Sequence, residues 1–486
     1  MTEIREVAAS RPLVLDVDGT FLRTDMLFET FWAGLGRDPF GVLRAVLRDF
    51  RRPERLKAEL ARIAPIRTDL LPVSPAVAEL ALRARAEGRE VILASAADES
   101  LVRRLSADYA LSDRVFASDG QTNLKGRRKA AALVGAFGER GFDYAGNAPV
   151  DMAVWERAEN AIVVGHVSAA RGLAAAGVAV TDLPGGWDWR GLLRAMRPHQ
   201  WVKNVLLILP MIAAHRFDLA TLLPILLGIV AFSAAASCIY IVNDLMDLEA
   251  DRLHPTKCRR PFASGDVPIQ IGMAASAGLG ALAIGIALAL TWAFVGVIVL
   301  YMMLSLGYSL KLKRLRWVDI ATLASLYTVR VVAGAAAAAV DVSIYMLIFI
   351  FPIFITLGCV KRLTELTLAK SDEKLPGRGY ARSDRGDLLN VAWLGTIGAL
   401  VIFFLYSVSD QGRELYPTTW ILWAAMFPMA LWLVRMVALG WYGKQDYDPI
   451  VFAMRDKFGI GILMLTLSLM FWAAGLWAQW FGAVQG

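Results

Sequence analysis

Apolar positions divide the chain into two parts of different rhythm. From residue 12 to about 183, short apolar runs alternate with helical stretches, which predicts an α/β fold on a parallel sheet. From 200 to 483 one apolar segment follows another, each near the roughly 20 residues that a bilayer-spanning helix needs. Spans are predicted near 203–215, 222–243, 270–290, 293–309, 318–340, 343–360, 388–407, 419–438 and 459–481, about nine in all. The expected fold class is an N-terminal α/β domain over 1–183, with a helical cap at about 21–80, and an all-α polytopic membrane domain over 197–486. Between them, 184–196 opens on Pro184-Gly185-Gly186 and reads as a linker.

Composition and charge agree with that division. The chain has 486 residues, 57% of them hydrophobic, too long for one ordinary domain and too apolar to be soluble throughout. Met1–Pro12 carries charges and no apolar core segment, so no signal peptide is expected and the α/β domain should stay in the cytoplasm. That placement puts Arg252, Lys257, Arg259 and Arg260, then Lys311, Lys313, Arg314 and Arg316, then the basic residues from Lys361 to Arg385 on the cytoplasmic side. The opposite loops keep little beyond Arg216 and Arg413, a strong positive-inside pattern. The expectation is a bacterial inner membrane, with the C-terminus on the far side and a homo-oligomer left open. The net charge of +7 then follows from topology and phosphate binding and calls for no nucleic acid. Cys238, Cys258 and Cys359 have no disulfide or zinc spacing.

In the first part, Pro12-Leu-Val-Leu-Asp16-Val-Asp18-Gly19-Thr20 is a buried strand ending in two aspartates and a glycine turn. Ligands of parallel sheets bind at the carboxyl ends of the strands. Asp16 is therefore placed to act as nucleophile or metal ligand, and Asp18 could reach the same phosphate as acid–base. Glu90-Val-Ile-Leu-Ala-Ser95 ends in a hydroxyl suited to a phosphoryl oxygen, Lys125 follows, and a later strand closes with Asn147 and Asp151. In this order the motifs resemble those of the haloacid-dehalogenase (HAD) phosphatases, over about residues 12–183. The resemblance implies an aspartyl-phosphate on Asp16, leaving-group protonation by Asp18, and phosphoryl contacts from Ser95 and Lys125. It places Mg²⁺ among Asp16, Asp18, Asn147 and Asp151. The family usually has aspartate where this chain has Asn147, whose amide oxygen brings less charge to a cation. A HAD-like domain kept for folding or docking is the competing reading.

In the second part, Asn243-Asp244-Leu-Met-Asp247-Leu-Glu-Ala-Asp251 closes a long apolar run. Carboxylates at i, i+3 or i+4 spacing share one helix face. Such a face is costly in lipid and must look into the protein or onto water. Mg²⁺ takes oxygen ligands and keeps substrate phosphates in its shell, so this face predicts a metal–diphosphate site. Arg252, Lys257, Arg259 and Arg260 follow, dense enough to neutralise a diphosphate beyond ordinary topological charge. Arg197-Pro198-His-Gln-Trp201-Val-Lys203-Asn204, Tyr308 and Lys311 running on to Asp319, and Lys361-Arg362 with Glu365 repeat this polarity at other helix ends. Arg330 lies within a predicted span, where an arginine is a functional candidate by default.

These motifs resemble the UbiA-type intramembrane prenyltransferases over about 190–483, and more closely the decaprenyl-phosphate phosphoribosyltransferase branch. Aromatic prenyltransferases carry a second aspartate-rich motif where this chain has Lys361, Arg362 and Glu365. The resemblance implies Mg²⁺ held by Asp244, Asp247 and Asp251, one ion in each domain in all, with Asn243 and the cations binding substrate. Phosphoribosyl diphosphate and a polyprenyl phosphate would be the substrates, and a HAD phosphatase would then remove the 5-phosphate. Lys203, Tyr308, Lys311, Arg330, Lys361 and Arg362 are the candidates for holding the two phosphates, undivided between them, with Asn204, Asp319 and Glu365 as further substrate-binding candidates. The alternatives are a 4-hydroxybenzoate-type polyprenyltransferase and a transporter with a regulatory soluble domain. Polar motifs gathered at one membrane face argue against the transporter.

Overall fold

The computed structural model describes residues 11–482 except 342, 370–371, 375–377 and 446–447. The opening segment 1–10, whose charges argued against a signal core, lies outside the described residues. By packing the chain forms two compact units: Met1–Met196 with Tyr240–Ala277, and Arg197–Ile239 with Gly278–Gly486. The acidic stretch thus packs with the α/β elements.

In the first unit six parallel strands lie in the order β3-β2-β1-β4-β5-β6. They are β1 (Leu13–Leu15), β2 (Val91–Asp98), β3 (Val115–Ser118), β4 (Asp143–Gly146), β5 (Asn160–Val164) and β6 (Ala179–Leu183). Side chains alternate across β1. Leu13 and Leu15 join one apolar layer with Val17 and Leu93, and Val14 joins the other with Tyr144 and Trp155. With both faces covered, β1 must read as an unbroken apolar run, as it does. The strand order reverses between β1 and β4, which opens a crevice at their carboxyl ends. Asp16 directly follows β1 and Asn147 directly follows β4.

Four helices fill the interval between β1 and β2: α1 (Met26–Arg37), α2 (Pro39–Asp49), α3 (Pro53–Ile63) and α4 (Pro75–Ala86). Proline opens three of them, where its missing N–H costs nothing. Asp25 caps α1 by accepting from the N–H groups of Leu27 and Phe28. Part of the expected linker is ordered as the helix Trp189–Met196.

Among the described residues seven helices are long and apolar enough to cross a membrane, against about nine expected from sequence. Two of them, Leu219–Met246 and Ile269–Leu290, run from one unit into the other. The last predicted span is the shorter apolar helix Lys457–Ala473. The first differs more: Pro198–Ile208 winds as a 3₁₀-helix and Leu209–Ala213 adds a short α-turn containing Pro210. That thin segment lies against the helix Val318–Ala338 at Gly334. A Cβ on Gly334 would come 1.9 Å from the carbonyl oxygen of Leu207, so the two backbones meet because the side chain is absent. Val318–Ala338 is 67% buried over its apolar window, whereas Ile269–Leu290 is 17% buried, so the former is central and the latter peripheral.

Candidate active sites

The crevice of the sheet collects the predicted phosphoryl residues other than Lys125. Gly19 turns the chain after β1 with φ +77, and a Cβ there would lie 2.2 Å from Nδ2 of Asn147. Only glycine permits both the left-handed backbone and that approach. Thr20 Oγ1 then stands 3.3 Å from Asp16 Oδ2 and 3.2 Å from Asn147 Oδ1, so these two oxygens converge. Asp18 accepts from the N–H of Met26 at 2.8 Å and from the hydroxyl of Ser95 at 3.1 Å. Burial, with the charges of Asp25 and Asp16, pushes the Asp18 carboxyl up to about 7. Asp151 accepts from Tyr144 Oη at 2.9 Å and from the N–H groups of Asn147 and Ala148. Burial and Asp16 push it up to about 6.

The ammonium on the nucleophile candidate is that of Lys129. Its Nζ lies 2.6 Å from Asp16 Oδ1, 3.0 Å from Tyr144 Oη and 4.0 Å from Asp151. Burial alone would lower this lysine, but Asp16 and Asp151 outweigh it and hold the ammonium above its ordinary value. Lys125, the lysine singled out from sequence, is exposed just before α5 (Arg127–Phe137), the helix that carries Lys129. Lys57 on α3, also missed, donates to the carbonyl of Ala96 at 2.6 Å and to Asn123 at 3.1 Å. The converging oxygens of Asp16 and Asn147 suit a hard cation such as Mg²⁺. Asp151 is already committed to three donors.

The acidic stretch belongs to the same unit. Asn243 and Asp244 lie near the end of Leu219–Met246, Asp247 precedes the six-residue helix Leu248–Leu253, and Asp251 lies within that helix. Asp244 and Asp251 are 3% and 2% exposed and are bridged by Nη1 of Arg260 at 3.0 and 2.7 Å. Burial raises the Asp251 carboxyl while Arg260 opposes it. Among the described residues no three His, Cys, Asp or Glu side chains gather as a metal cage. The oxygens present still suit Mg²⁺, because Asn243 Oδ1 beside Asp244 is buried without a hydrogen-bond partner. Lys257 and Arg259 are exposed. Arg252 instead is buried, giving Nε to the carbonyl of Ala263 and its two terminal nitrogens to Glu29 of α1. Asp247 lines a cavity of about 340 Å³ with Glu29, Arg37, Arg67 and Arg252.

The second unit holds the remaining candidates in two groups. In one, Arg362 is wholly buried and grips Asp319, Tyr308 and Glu365, with Nη2 2.8 Å from Tyr308 Oη and 2.9 Å from Asp319 Oδ1. Arg378 reaches Tyr308 Oη at 3.0 Å and Asp319 at 3.4 Å. Two guanidiniums thus face two carboxylates, and the charges cancel. In the other, Lys203 pairs with Asp448, and Lys361 Nζ lies 3.7 Å from the same carboxylate. Tyr327 Oη approaches Asp448 at 3.4 Å. One turn along from Tyr327, Arg330 donates to Asn204 Oδ1 at 3.2 Å, the Leu326 carbonyl at 2.6 Å and Tyr301 Oη at 3.3 Å. Its guanidinium also lies 5.0 Å from the ring centre of Tyr301 and 5.3 Å from that of Phe232. The bonds of Arg330 go to neutral acceptors. Lys311 is exposed at the end of Trp292–Leu310. Asp448, Arg378, Tyr301 and Tyr327 were not legible as site residues.

With this geometry in view, comparison with known proteins gives the class. The profile of the UbiA prenyltransferase family matches residues 205–439. The decaprenyl-phosphate phosphoribosyltransferase of Mycobacterium tuberculosis is 33% identical over 291 residues, 58% of this chain and 92% of that protein. The chain belongs to the UbiA prenyltransferase family and is a multi-pass membrane protein. The nodulation protein NoeC of Azorhizobium caulinodans is 32% identical over 57% of this chain and 91% of its own length. The uncharacterized protein y4nM of Sinorhizobium fredii is 34% identical over 471 residues, 94% of this chain and 90% of that one. Both parts of the chain therefore recur together in y4nM.

Proposed function

We propose that the membrane part transfers 5-phosphoribose from phosphoribosyl diphosphate to a polyprenyl phosphate, and that the α/β part, a HAD-like phosphatase, then removes the 5-phosphate. The observation that carries this reading is the largely buried cation group of the second unit. Among the described residues, Lys203 and Arg330 are buried and Lys361 is partly buried beside them, and Asp448 supplies one negative charge to the two lysines. Buried charge of one sign is costly without a counter-ion, and a substrate phosphate dianion supplies it. The likeness to the mycobacterial phosphoribosyltransferase supports the same substrates.

Asp244, Asp247 and Asp251, with Asn243 Oδ1, would hold Mg²⁺ on the diphosphate. The ion would neutralise charge on the departing diphosphate. Arg260, already on Asp244 and Asp251, is placed to turn toward that charge as it develops. A lipid phosphate oxygen attacks C1 of the ribose as the bond from C1 to the diphosphate oxygen breaks. The nucleophile is already ionised, so no strong general base is required. Arg362 plays a different part: its donors are taken up by Asp319, Glu365 and Tyr308, so it fixes those side chains.

In the α/β part, Asp16 attacks phosphorus of the 5-phosphate monoester, and the sugar oxygen leaves with the proton of Asp18. Asp18 then takes a proton from the water that cleaves the aspartyl-phosphate. Lys129 offsets charge on Asp16 and on the phosphoryl oxygens, and Ser95 holds Asp18. Asp16 and Asn147 would hold Mg²⁺, which supplies further neutralisation of the phosphoryl group.

The test offers purified protein in lipid labelled phosphoribosyl diphosphate and polyprenyl phosphate, with mass spectrometry of the lipid product. Wild type is expected to yield polyprenyl-phosphoryl-ribose. Asp16→Asn is expected to leave the 5-phosphate in place. No lipid-linked pentose, with prenylation of 4-hydroxybenzoate in a parallel reaction, would overturn the reading.

A further inference from the structure

The first unit contains a clasp that neither proposed reaction uses. Within one short segment, Arg23, Asp25 and Glu29 each hold a side chain from the stretch that follows the acidic motif. Arg23 pairs with Asp266 at 3.0 Å, Asp25 accepts from Gln270 Nε2 at 3.0 Å, and Glu29 binds Arg252. The third contact is the deepest. The side chains of Arg252 and Glu29 are 7% and 4% exposed, and both terminal nitrogens of the guanidinium meet the two carboxylate oxygens. Such a fork fixes direction as well as distance. Thr24 Oγ1 holds the same carboxylate at 2.6 Å, and Arg252 Nε is anchored on the Ala263 carbonyl at 3.1 Å.

Arg252 is the residue next to Asp251, on a helix of six residues. A helix that short has no stability of its own, so side-chain anchors set its orientation. The helix also carries Asp251 against Arg260, and Asp247 immediately precedes it. We propose that Glu29 is a positioning residue for the acidic stretch: through Arg252 it orients Leu248–Leu253 so that Asp247 and Asp251 present their oxygens to a divalent cation. On this view the α/β part is a working piece of the transferase site as well as a second enzyme. The proposal rests on the reading of the acidic stretch as a metal–diphosphate site, but not on which sugar or lipid is used.

Mn²⁺ binding to the full chain, followed by electron paramagnetic resonance, tests it without turnover. The site in question is the one that Asp244→Ala removes. Glu29→Gln is expected to weaken Mn²⁺ there about tenfold, Glu29→Asp to restore most of the affinity, and Arg252→Gln to match Glu29→Gln. The double variant should lose no more than either single one, because both break the same link. Hydrolysis of p-nitrophenyl phosphate by Glu29→Gln should stay within twofold of wild type, marking a folded α/β part. Unchanged Mn²⁺ affinity in Glu29→Gln and Arg252→Gln, or losses that add in the double variant, would overturn the proposal, as would the absence of any site removed by Asp244→Ala. If Mn²⁺ behaves as expected but no phosphoribose is transferred, the substrate reading fails and the positioning role stands.

Discussion

Asp18 is still about half protonated at neutral pH because burial, Asp25 and Asp16 all disfavour its charge, against the opposing bonds from Met26 and Ser95. In metal-free protein its carboxyl should therefore titrate near 7. The acid form is present below that value and lost above it, so a leaving-group step that draws on this proton slows as pH rises through about 7. Asp25→Asn removes a negative neighbour, lowers the Asp18 value and moves the alkaline limb to lower pH; an unmoved limb in the pH–rate profile would separate Asp18 from proton transfer. Arg362 makes a prediction of another kind. Arg362→Met leaves Asp319, which is 0% exposed, with Arg378 at 3.4 Å as its remaining counter-charge, and removing one partner of a buried pair costs up to about 3–5 kcal/mol. Thermal unfolding in detergent should show it, with a smaller loss in Arg362→Met/Asp319→Asn. Residue chemistry was only partly legible in the sequence. Asp16 and Asp18 could be found because an apolar run delivers them to a strand end. Lys129 could not be told from Lys125, Arg127 and Arg128 beside it, since only the burial of one face of α5 selects among four neighbouring cations. Asp448 has no periodic company at all and acquires meaning only when Lys203 and Lys361 meet on it.

At the scale of elements, the parallel sheet and the long helices follow from patterns that a chain with one covered or lipid-facing surface must display. The segment at 203–215 shows where that logic ends. It is apolar enough to pass for a span, yet Pro210 falls inside it and the eleven residues Pro198–Ile208 that lead into it wind as a 3₁₀-helix. Runs of that length are uncommon because the hydrogen bonds are poor, so outside support is needed. Gly334 provides it by letting the Leu207 carbonyl approach the helix that carries Arg330. Gly334→Ala should push the two apart at a cost of about 1–3 kcal/mol. Because Asn204 sits on the displaced segment and holds Arg330, the same change should raise KM for the phosphate substrate more than it lowers kcat. A variant with full stability and an unchanged KM would show that the segment is not held by this contact. Tertiary packing decides here, and no window of sequence contains both partners.

At the scale of the whole molecule, two proposed phosphate chemistries share one chain, and the question is what the fusion gains. The lipid product of the first reaction cannot leave the bilayer, so it reaches a second enzyme by lateral diffusion alone, whereas a domain on the same chain faces it at fixed local concentration. Full-length y4nM keeps the same pairing of parts, while the mycobacterial relative matches only 58% of this chain. A mixture of Asp16→Asn with Asp244→Ala/Asp247→Ala should therefore make dephosphorylated product in common vesicles, since one variant transfers and the other hydrolyses. Its yield should fall as lipid is added at constant protein, because diffusion must bridge larger distances. Wild type should be insensitive to the same dilution. If the mixture matched wild type at every lipid ratio, covalent fusion would contribute nothing to hand-over and would have to be explained by the clasp at Glu29 alone. If the mixture made no dephosphorylated product at the highest density, while each variant kept its own half-reaction, then the α/β part acts only on lipid made by its own chain.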